Sequence, residues 1–317
     1  MQTPMNSGFG ERTTAEEIAR IHDLHGKTAL ITGGHSGIGL ESTRVLARSG
    51  AKIIVGARDM DKAHTALADI PGAKAFPLDL SDPVSIQTFA GGALEACDKI
   101  DILMNNAGIM ALPRLKNDER QFELQFSTNH LGHFHLTSLL WEALKRANGA
   151  RVVTLSSYGH RYSPVIFDDP NFEARPYDKW KAYGQSKTAN ALFAVHLDEL
   201  GQRYGIRSFA VHPGRIPSTS LKRSLTFKEL LMMPLLLLSK VPVKTTGEGA
   251  ATQVWAALSD QLDGKGGVYC ADCDISPVVT SDSRLANTVR DYAVDPELAH
   301  KLWQLSEKMT GIEWPRS

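Results

Sequence analysis

The sequence predicts an α/β protein: one doubly wound parallel sheet of about seven strands, with helices on both faces and a single domain. Three observations lead there. From Lys27 onward, short β-branched runs alternate with longer segments of helical periodicity. Strands separated by helices of about ten residues or more read as βαβ units, which run parallel. A glycine-rich turn joins the first run to its helix, and no linker, composition break or internal repeat divides the chain.

The elements follow in order. Residues 1–12 are rich in Gly, Ser, Thr and Asn and read as a loose terminus, with a short helix expected near Thr14 to Leu24. Residues 1–25 are therefore set apart as an N-terminal extension, and 26–317 as the domain. The strand series is TALIT (28–32), KIIVG (52–56), AKAFPL (73–78), IDILMNN (100–106), RVVTLS (151–156), IRSFAVH (206–212) and GVYCA (267–271). Helices are expected through Ser49, near Met60 to Ile70, from Pro83, near Arg120 to Ala147, and over 183–204.

Composition excludes several classes. The 317 residues are 42% hydrophobic and 22% charged, with 35 basic against 35 acidic side chains, so no basic footprint for nucleic acid exists. Three cysteines are too few for a disulfide framework, and no apolar leader precedes a cleavage site, so a reducing cytoplasm is expected. Cys270 and Cys273 form a CxxC without a second ligand pair, which favours packing over structural zinc. His130, His133 and His135 do not share one helix face, and no metal is expected there. The longest apolar run, Leu230 to Leu238, is broken by Pro234 and falls short of the roughly 20 residues of a spanning helix. It reads as a core or lid helix or as a greasy wall over a pocket; contact with a membrane surface is the least favoured alternative.

Between the first strand and its helix stand Thr32-Gly33-Gly34-His35-Ser36-Gly37-Ile38-Gly39. Glycines let the backbone turn tightly and approach a pyrophosphate, while free N–H groups at a helix start favour negative charge. No Gly-Lys-Ser/Thr follows, which excludes a Walker-type loop. The second strand ends in Gly56-Ala57-Arg58. An Arg at that edge suits the 2′-phosphate of NADP, whereas a carboxylate suits the ribose of NAD. Arg58 favours NADP(H); Asp59, one residue on, keeps NAD(H) possible.

Tyr183 and Lys187 stand four apart in AYGQSK, on one helix face, with Cβ atoms about 6 Å apart. A neighbouring ammonium favours phenolate and is expected to lower the tyrosine pKa toward working pH. The fifth strand runs into Ser156-Ser157, whose hydroxyls face the crevice where such sheets bind ligands. The fourth ends in Asn105-Asn106-Ala107-Gly108, small and amide residues suited to securing a loop beneath a cofactor.

With TGGHSGIG, NNAG, Asn129 in STNHLGHF, Ser157 and YGQSK in this order, the chain resembles the short-chain dehydrogenase/reductase family from about Gly26 to Gly267. Within it, the SSYGH run and the long gap before YxxxK look like the retinol dehydrogenase and WW-domain-containing oxidoreductase branch. The resemblance implies a Rossmann-type catalytic domain and an NADP-dependent alcohol dehydrogenase or carbonyl reductase. Tyr183 would be the general acid/base, and Lys187 would hold the nicotinamide ribose. Ser157 would bond the substrate oxygen, with Ser156 as backup, and Asn129 would anchor a relay water. Gly33, Gly37 and Gly39 would form the cofactor turn together with His35, Ser36 and Ile38. Asp79 and Leu80 in PLDL would reach the adenine side, and Asn106, Ala107 and Gly108 would fix the cofactor. Pro213, Gly214 and Ile216 would line the nicotinamide side with Ser218, or with Thr219 in its place. His35 stands where a smaller polar residue is usual. The family's dimer surfaces would fall on the helices at 120–147 and 183–204, implying a homodimer.

Two loops, about 158–182 and 215–243, carry Tyr162, Phe167, Phe172, Tyr177 and Trp180 and the Leu- and Met-rich stretch. At the sheet's C-terminal edge they would set specificity for a hydrophobic small molecule. Two rivals stand beside this reading. An epimerase or dehydratase of the same fold is opposed by the TGxxxGxG spacing and the short C-terminal part. A non-catalytic cofactor-sensing protein is opposed by the retained Tyr183, Lys187, Ser157 and Asn129.

Overall fold

The computed structural model describes residues 2–216, 242–283, 285 and 287–314. Seven strands run parallel: β1 (Thr28–Thr32), β2 (Lys52–Ala57), β3 (Lys74–Pro77), β4 (Ile102–Asn105), β5 (Arg151–Leu155), β6 (Arg207–His212) and β7 (Val268–Ala271). An eighth, β8 (Asp274–Ile275), pairs antiparallel with β7 and completes the order β3-β2-β1-β4-β5-β6-β7-β8. Two residues are too few to leave a periodic signal, which is why the sequence reading stopped at seven. A separate two-stranded sheet joins β9 (Val278–Val279) to β10 (Val289–Arg290).

Both faces of the sheet are covered. Leu30 and Ile31 are fully buried on opposite sides, because successive strand residues point to opposite faces. Leu30 packs with Ile54, Phe89 and Phe134. Ile31 packs with Val45, Val55 and Trp255. The first layer holds α4 (Pro83–Ala96), the short α5 (Leu124–Phe126), α6 (Gly132–Leu139), α7 (Trp141–Arg146) and α8 (Lys179–Gly201). The second holds α1 (Ala15–Ala19), α2 (Gly37–Arg48), α3 (Met60–Leu67) and α9 (Thr246–Leu258). The strand order reverses between β1 and β4, and that switch point opens the crevice for a ligand.

The start of the chain is not loose. Gln2 Oε1 accepts the Tyr269 N–H at 3.0 Å, Asp274 accepts the N–H groups of Met5 and Asn6 at 2.9 and 3.0 Å, and Ser7 donates to the Cys273 carbonyl at 2.6 Å. Polar residues that read as a free end instead satisfy backbone groups near the β7–β8 edge.

A last helix, α10 (Pro296–Thr310), lies across α8 on the side away from β5 and β6. Trp303 stacks on Phe193 of α8 at 5.7 Å and meets Phe134 of α6 edge-on at 5.0 Å. Leu302 and Ala299 close over Phe126, Leu131 and Leu192. Part of the surface of the helices at 120–147 and 183–204 is therefore covered by the chain's own C-terminal helix.

Candidate active site

The glycine turn is built around close backbone approach. Gly33 (φ +67°) and Gly37 (φ +54°) take left-handed conformations that favour glycine. A Cβ at Gly39 would stand 2.5 Å from Asn106 Nδ2 and 2.6 Å from the Gly33 carbonyl oxygen. Ser36, at the start of α2, makes no side-chain cap, so the first N–H groups of the helix stay available to an anion. These residues fit a dinucleotide pyrophosphate.

Thr32 ties this turn to the NNAG segment. Its hydroxyl oxygen accepts the N–H groups of Asn106 and Ala107, each at 2.9 Å, while Asn106 Nδ2 donates to the Thr32 carbonyl at 2.8 Å. The hydroxyl also meets His133 Nε2 at 2.9 Å, and His133 Nδ1 faces the Asn129 carbonyl at 2.9 Å. Since a carbonyl only accepts, Nδ1 carries the proton, and Thr32 donates its own to Nε2. Burial holds this imidazole down to about 4, so it stays neutral. Sequence reading missed Thr32 and His133; the signal was a hydroxyl at a strand end and a histidine four residues beyond Asn129.

At the end of β2, Arg58 is exposed, whereas Asp59 caps α3 by accepting the Lys62 N–H at 3.1 Å and also pairs with the Lys62 ammonium. Asp79 accepts from the N–H and hydroxyl of Ser81 at 2.9 and 2.6 Å. Leu80 is buried against Gly132, where any Cβ would come 2.2 Å from its carbonyl oxygen. His35 is half-buried, and desolvation lowers its pKa.

The chemistry-bearing side chains come together beside this cradle. Asn129 lies in a π-helical turn, Ser127–Leu131, between α5 and α6. Its Oδ1 accepts the Ile109 N–H at 2.8 Å, and its Nδ2 donates to the Ile109 carbonyl and to Ser186, both at 2.9 Å. A Cβ at Gly108 would sit 3.0 Å from Asn129 Oδ1 and 3.5 Å from Lys187 Nζ. Lys187 donates to the Leu155 carbonyl at 2.9 Å. Ser156 donates to the Lys187 carbonyl at 2.7 Å, which commits it to the helix. Ser157 is left on the side of Tyr183, and its oxygen accepts the Gly159 N–H at 3.0 Å.

The electrostatics differ from the sequence expectation. Burial pushes the Tyr183 phenol up to about 12, with the nearby Ser157 hydroxyl opposing it. The same desolvation pulls Lys187 down to about 7. Lysine and tyrosine are both buried, with Nζ 5.8 Å from the ring centroid, and loss of hydration sets the direction of both shifts.

On the far side, Ile216 lies against α9, where a Cβ at Gly249 would approach it to 2.4 Å and Ile38 to 3.1 Å. Gly214 (φ +84°) follows Pro213, and its N–H reaches His212 Nδ1 at 3.4 Å. Ser218, Thr219 and the Leu230–Leu238 run lie outside the described residues. Of the CxxC, Cys270 and Cys273 are both buried, and desolvation raises both thiols, so they pack as small apolar groups. His130 and His135 are buried as well, His130 meeting Ser306 of α10 at 2.8 Å.

A family model for short chain dehydrogenases matches residues 27–229. The chain belongs to that family. Short-chain dehydrogenase/reductase prx1 of Penicillium roqueforti is 38% identical over 312 residues, covering 95% of this chain and 91% of that one. Retinol dehydrogenase 12 of Mus musculus is 38% identical over 297 residues, covering 92% and 88%. Among solved structures, a protein of Mycobacterium paratuberculosis superposes with TM-score 0.72 at 32% identity, over 94% of this chain and 98% of its own. The Pseudomonas aeruginosa RhlG complex with NADP shares the fold, with TM-score 0.63 at 24% identity, over 78% of this chain and 95% of its own. This short-chain dehydrogenase is thus an oxidoreductase of a family that uses nicotinamide cofactors. Among the described residues, no helix is long and apolar enough to cross a membrane.

Proposed function

We propose that this dehydrogenase interconverts the carbonyl and alcohol of a hydrophobic small molecule with NADP(H), using Tyr183 as general acid/base. The observation that carries the reading is the gathering of Ser157, the buried Tyr183 ring and, one helical turn on, the buried Lys187 beside the glycine cradle, with Ser157 Oγ and the Tyr183 ring both closing on Gly159. A bound nicotinamide dinucleotide supplies or takes the hydride; the protein supplies orientation and proton transfer. Ser157 orients the substrate oxygen toward the phenol. In reduction Tyr183 gives its proton to that oxygen, and in oxidation it removes one. A high phenol pKa keeps Tyr183 protonated and ready to donate, while Lys187, near 7, gains charge as negative groups approach. Asn129 and the Ile109 backbone hold the floor beside Lys187, where a water would carry protons onward.

NADP is favoured over NAD because Asp59 is spent on its cap and on Lys62, which leaves Arg58 for a 2′-phosphate. Tyr158, Tyr162 and Trp180 form an aromatic row next to Tyr183, with centroids 6.3 and 5.9 Å apart, and two of its rings are conspicuously exposed. That wall suits an apolar substrate. Three unpaired, buried thiols suit a reducing compartment such as the cytoplasm. A homodimer, as the resemblance implies, would need a face other than the one under α10.

A panel of ketones, aldehydes and alcohols with NADP(H) and NAD(H), followed at the reduced nicotinamide, tests the reading. Turnover should prefer NADP(H), and Arg58→Asp should shift the preference toward NAD(H) by about tenfold or more. An Arg58→Asp protein that keeps its NADP preference removes the cofactor assignment.

A further inference from the structure

Ser157 is held by its backbone as well as by its hydroxyl. The Ser157 carbonyl accepts from His160 Nδ1 at 2.7 Å and from the Tyr269 hydroxyl at 3.1 Å. The other ring nitrogen, His160 Nε2, accepts the backbone N–H of Arg290 in β10 at 3.2 Å. A carbonyl on one side and an N–H on the other leave one tautomer: Nδ1 carries the proton and Nε2 does not. Burial, helped by the cations of Arg161 and Arg290 and opposed by the bond to the Ser157 carbonyl, holds this imidazole down to about 4, so the ring stays neutral across the working range. The His160 carbonyl is fixed too, accepting from Tyr292 at 2.9 Å and from Thr188 of α8 at 3.0 Å. Little slack remains between them, since a Cβ at Gly159 would stand 2.6 Å from the Tyr183 ring.

We propose that His160 is a positioning residue: its Nδ1–H fixes the Ser157 carbonyl, and so the angle at which the Ser157 hydroxyl meets Tyr183, with β10 as the anchor. The inference rests on Ser157 and Tyr183 being the reacting pair. His160 itself neither touches substrate nor exchanges a proton in turnover. Its tether runs to a segment more than a hundred residues away, so the small C-terminal sheet is part of the site's scaffold.

The test compares His160→Ala, His160→Asn and Ser157→Ala in the full-length protein, using whichever panel carbonyl the wild type reduces. His160→Ala should lower kcat by about 10- to 100-fold while leaving the KM for NADPH unchanged, as expected for a lost orientation. His160→Asn places an amide N–H where Nδ1–H stood and should recover to within about tenfold of wild type, the weight of a hydrogen bond or so. A kcat for His160→Ala equal to wild type, or a His160→Asn no better than His160→Ala, overturns the proposal. Full turnover by Ser157→Ala overturns the reading of the site instead. Independent of turnover, long-range proton–nitrogen spectra of histidine-labelled wild type should show His160 as the neutral Nδ1–H form from about pH 5.5 to 8. A His160 ring that titrates in that interval, or carries its proton on Nε2, also overturns it. If His160→Ala does not fold, the asparagine variant and the spectra decide.

Discussion

Gly33 and Gly39 serve the cofactor side by what they lack, while Ser157 and Tyr183 serve the chemical side by what surrounds them. At the cradle, backbone meets backbone, and a single methyl group would collide with Asn106. At the reacting pair, hydrogen bonds from β5, α8, β7 and the C-terminal sheet fix the main chain and side chains around Ser157. One half is specified by local conformation, the other by hydrogen bonds spanning the chain. The difference teaches that the two halves should fail separately.

The largest expected effect tests the second half alone. Tyr183→Phe removes the exchangeable proton and should cost roughly 10²- to 10⁴-fold in kcat. Binding of NADPH, measured by its fluorescence, should change little; a parallel loss of binding would merge the halves. The converse comes from Gly39→Ala, whose Cβ meets Asn106 and the Gly33 carbonyl. It should weaken NADPH binding by about tenfold or more and destabilise by about 1–3 kcal/mol, read by titration and thermal melting. If affinity is unchanged, the cradle is not the phosphate site.

The smallest effect sharpens the contrast. Lys187 has a folded pKa near 7, below its ordinary 10.5, so between those values the unfolded chain binds more protons. Stability without cofactor should therefore rise with pH across that window and fall as pH drops through it. Lys187→Met ends this cost: its melting temperature at neutral pH should rise by about 5 °C, with the gain shrinking toward pH 10. An unchanged melting profile would show that burial does not lower the Lys187 pKa in the folded protein.

How much of this was legible in the sequence depends on how each half is encoded. Glycine spacing and the YxxxK step are short-range patterns, so Gly33, Gly39, Asn129, Ser157, Tyr183 and Lys187 could all be marked, and the structure gathers them. Arg58 against Asp59 is open in the sequence; the structure adds that the Asp59 carboxylate caps α3. The parallel strands announced themselves through buried, β-branched runs, but β8 is too short to do so. Nothing near Ser157 in sequence points to Tyr269 or Arg290, and nothing in the polar first residues told that Gln2 and Ser7 would bind main chain. The direction of the Tyr183 shift failed for a related reason: spacing reports a neighbour's charge, while dryness is a property of the assembled interior.

The C-terminal helix braces the far side of the helix that carries Tyr183 and Lys187. A brace supplied by the same polypeptide is always at hand. Specific activity should then be the same for a highly diluted sample as for a concentrated one, and a stop codon ahead of Pro296 would disable the enzyme from behind without touching one group that meets substrate.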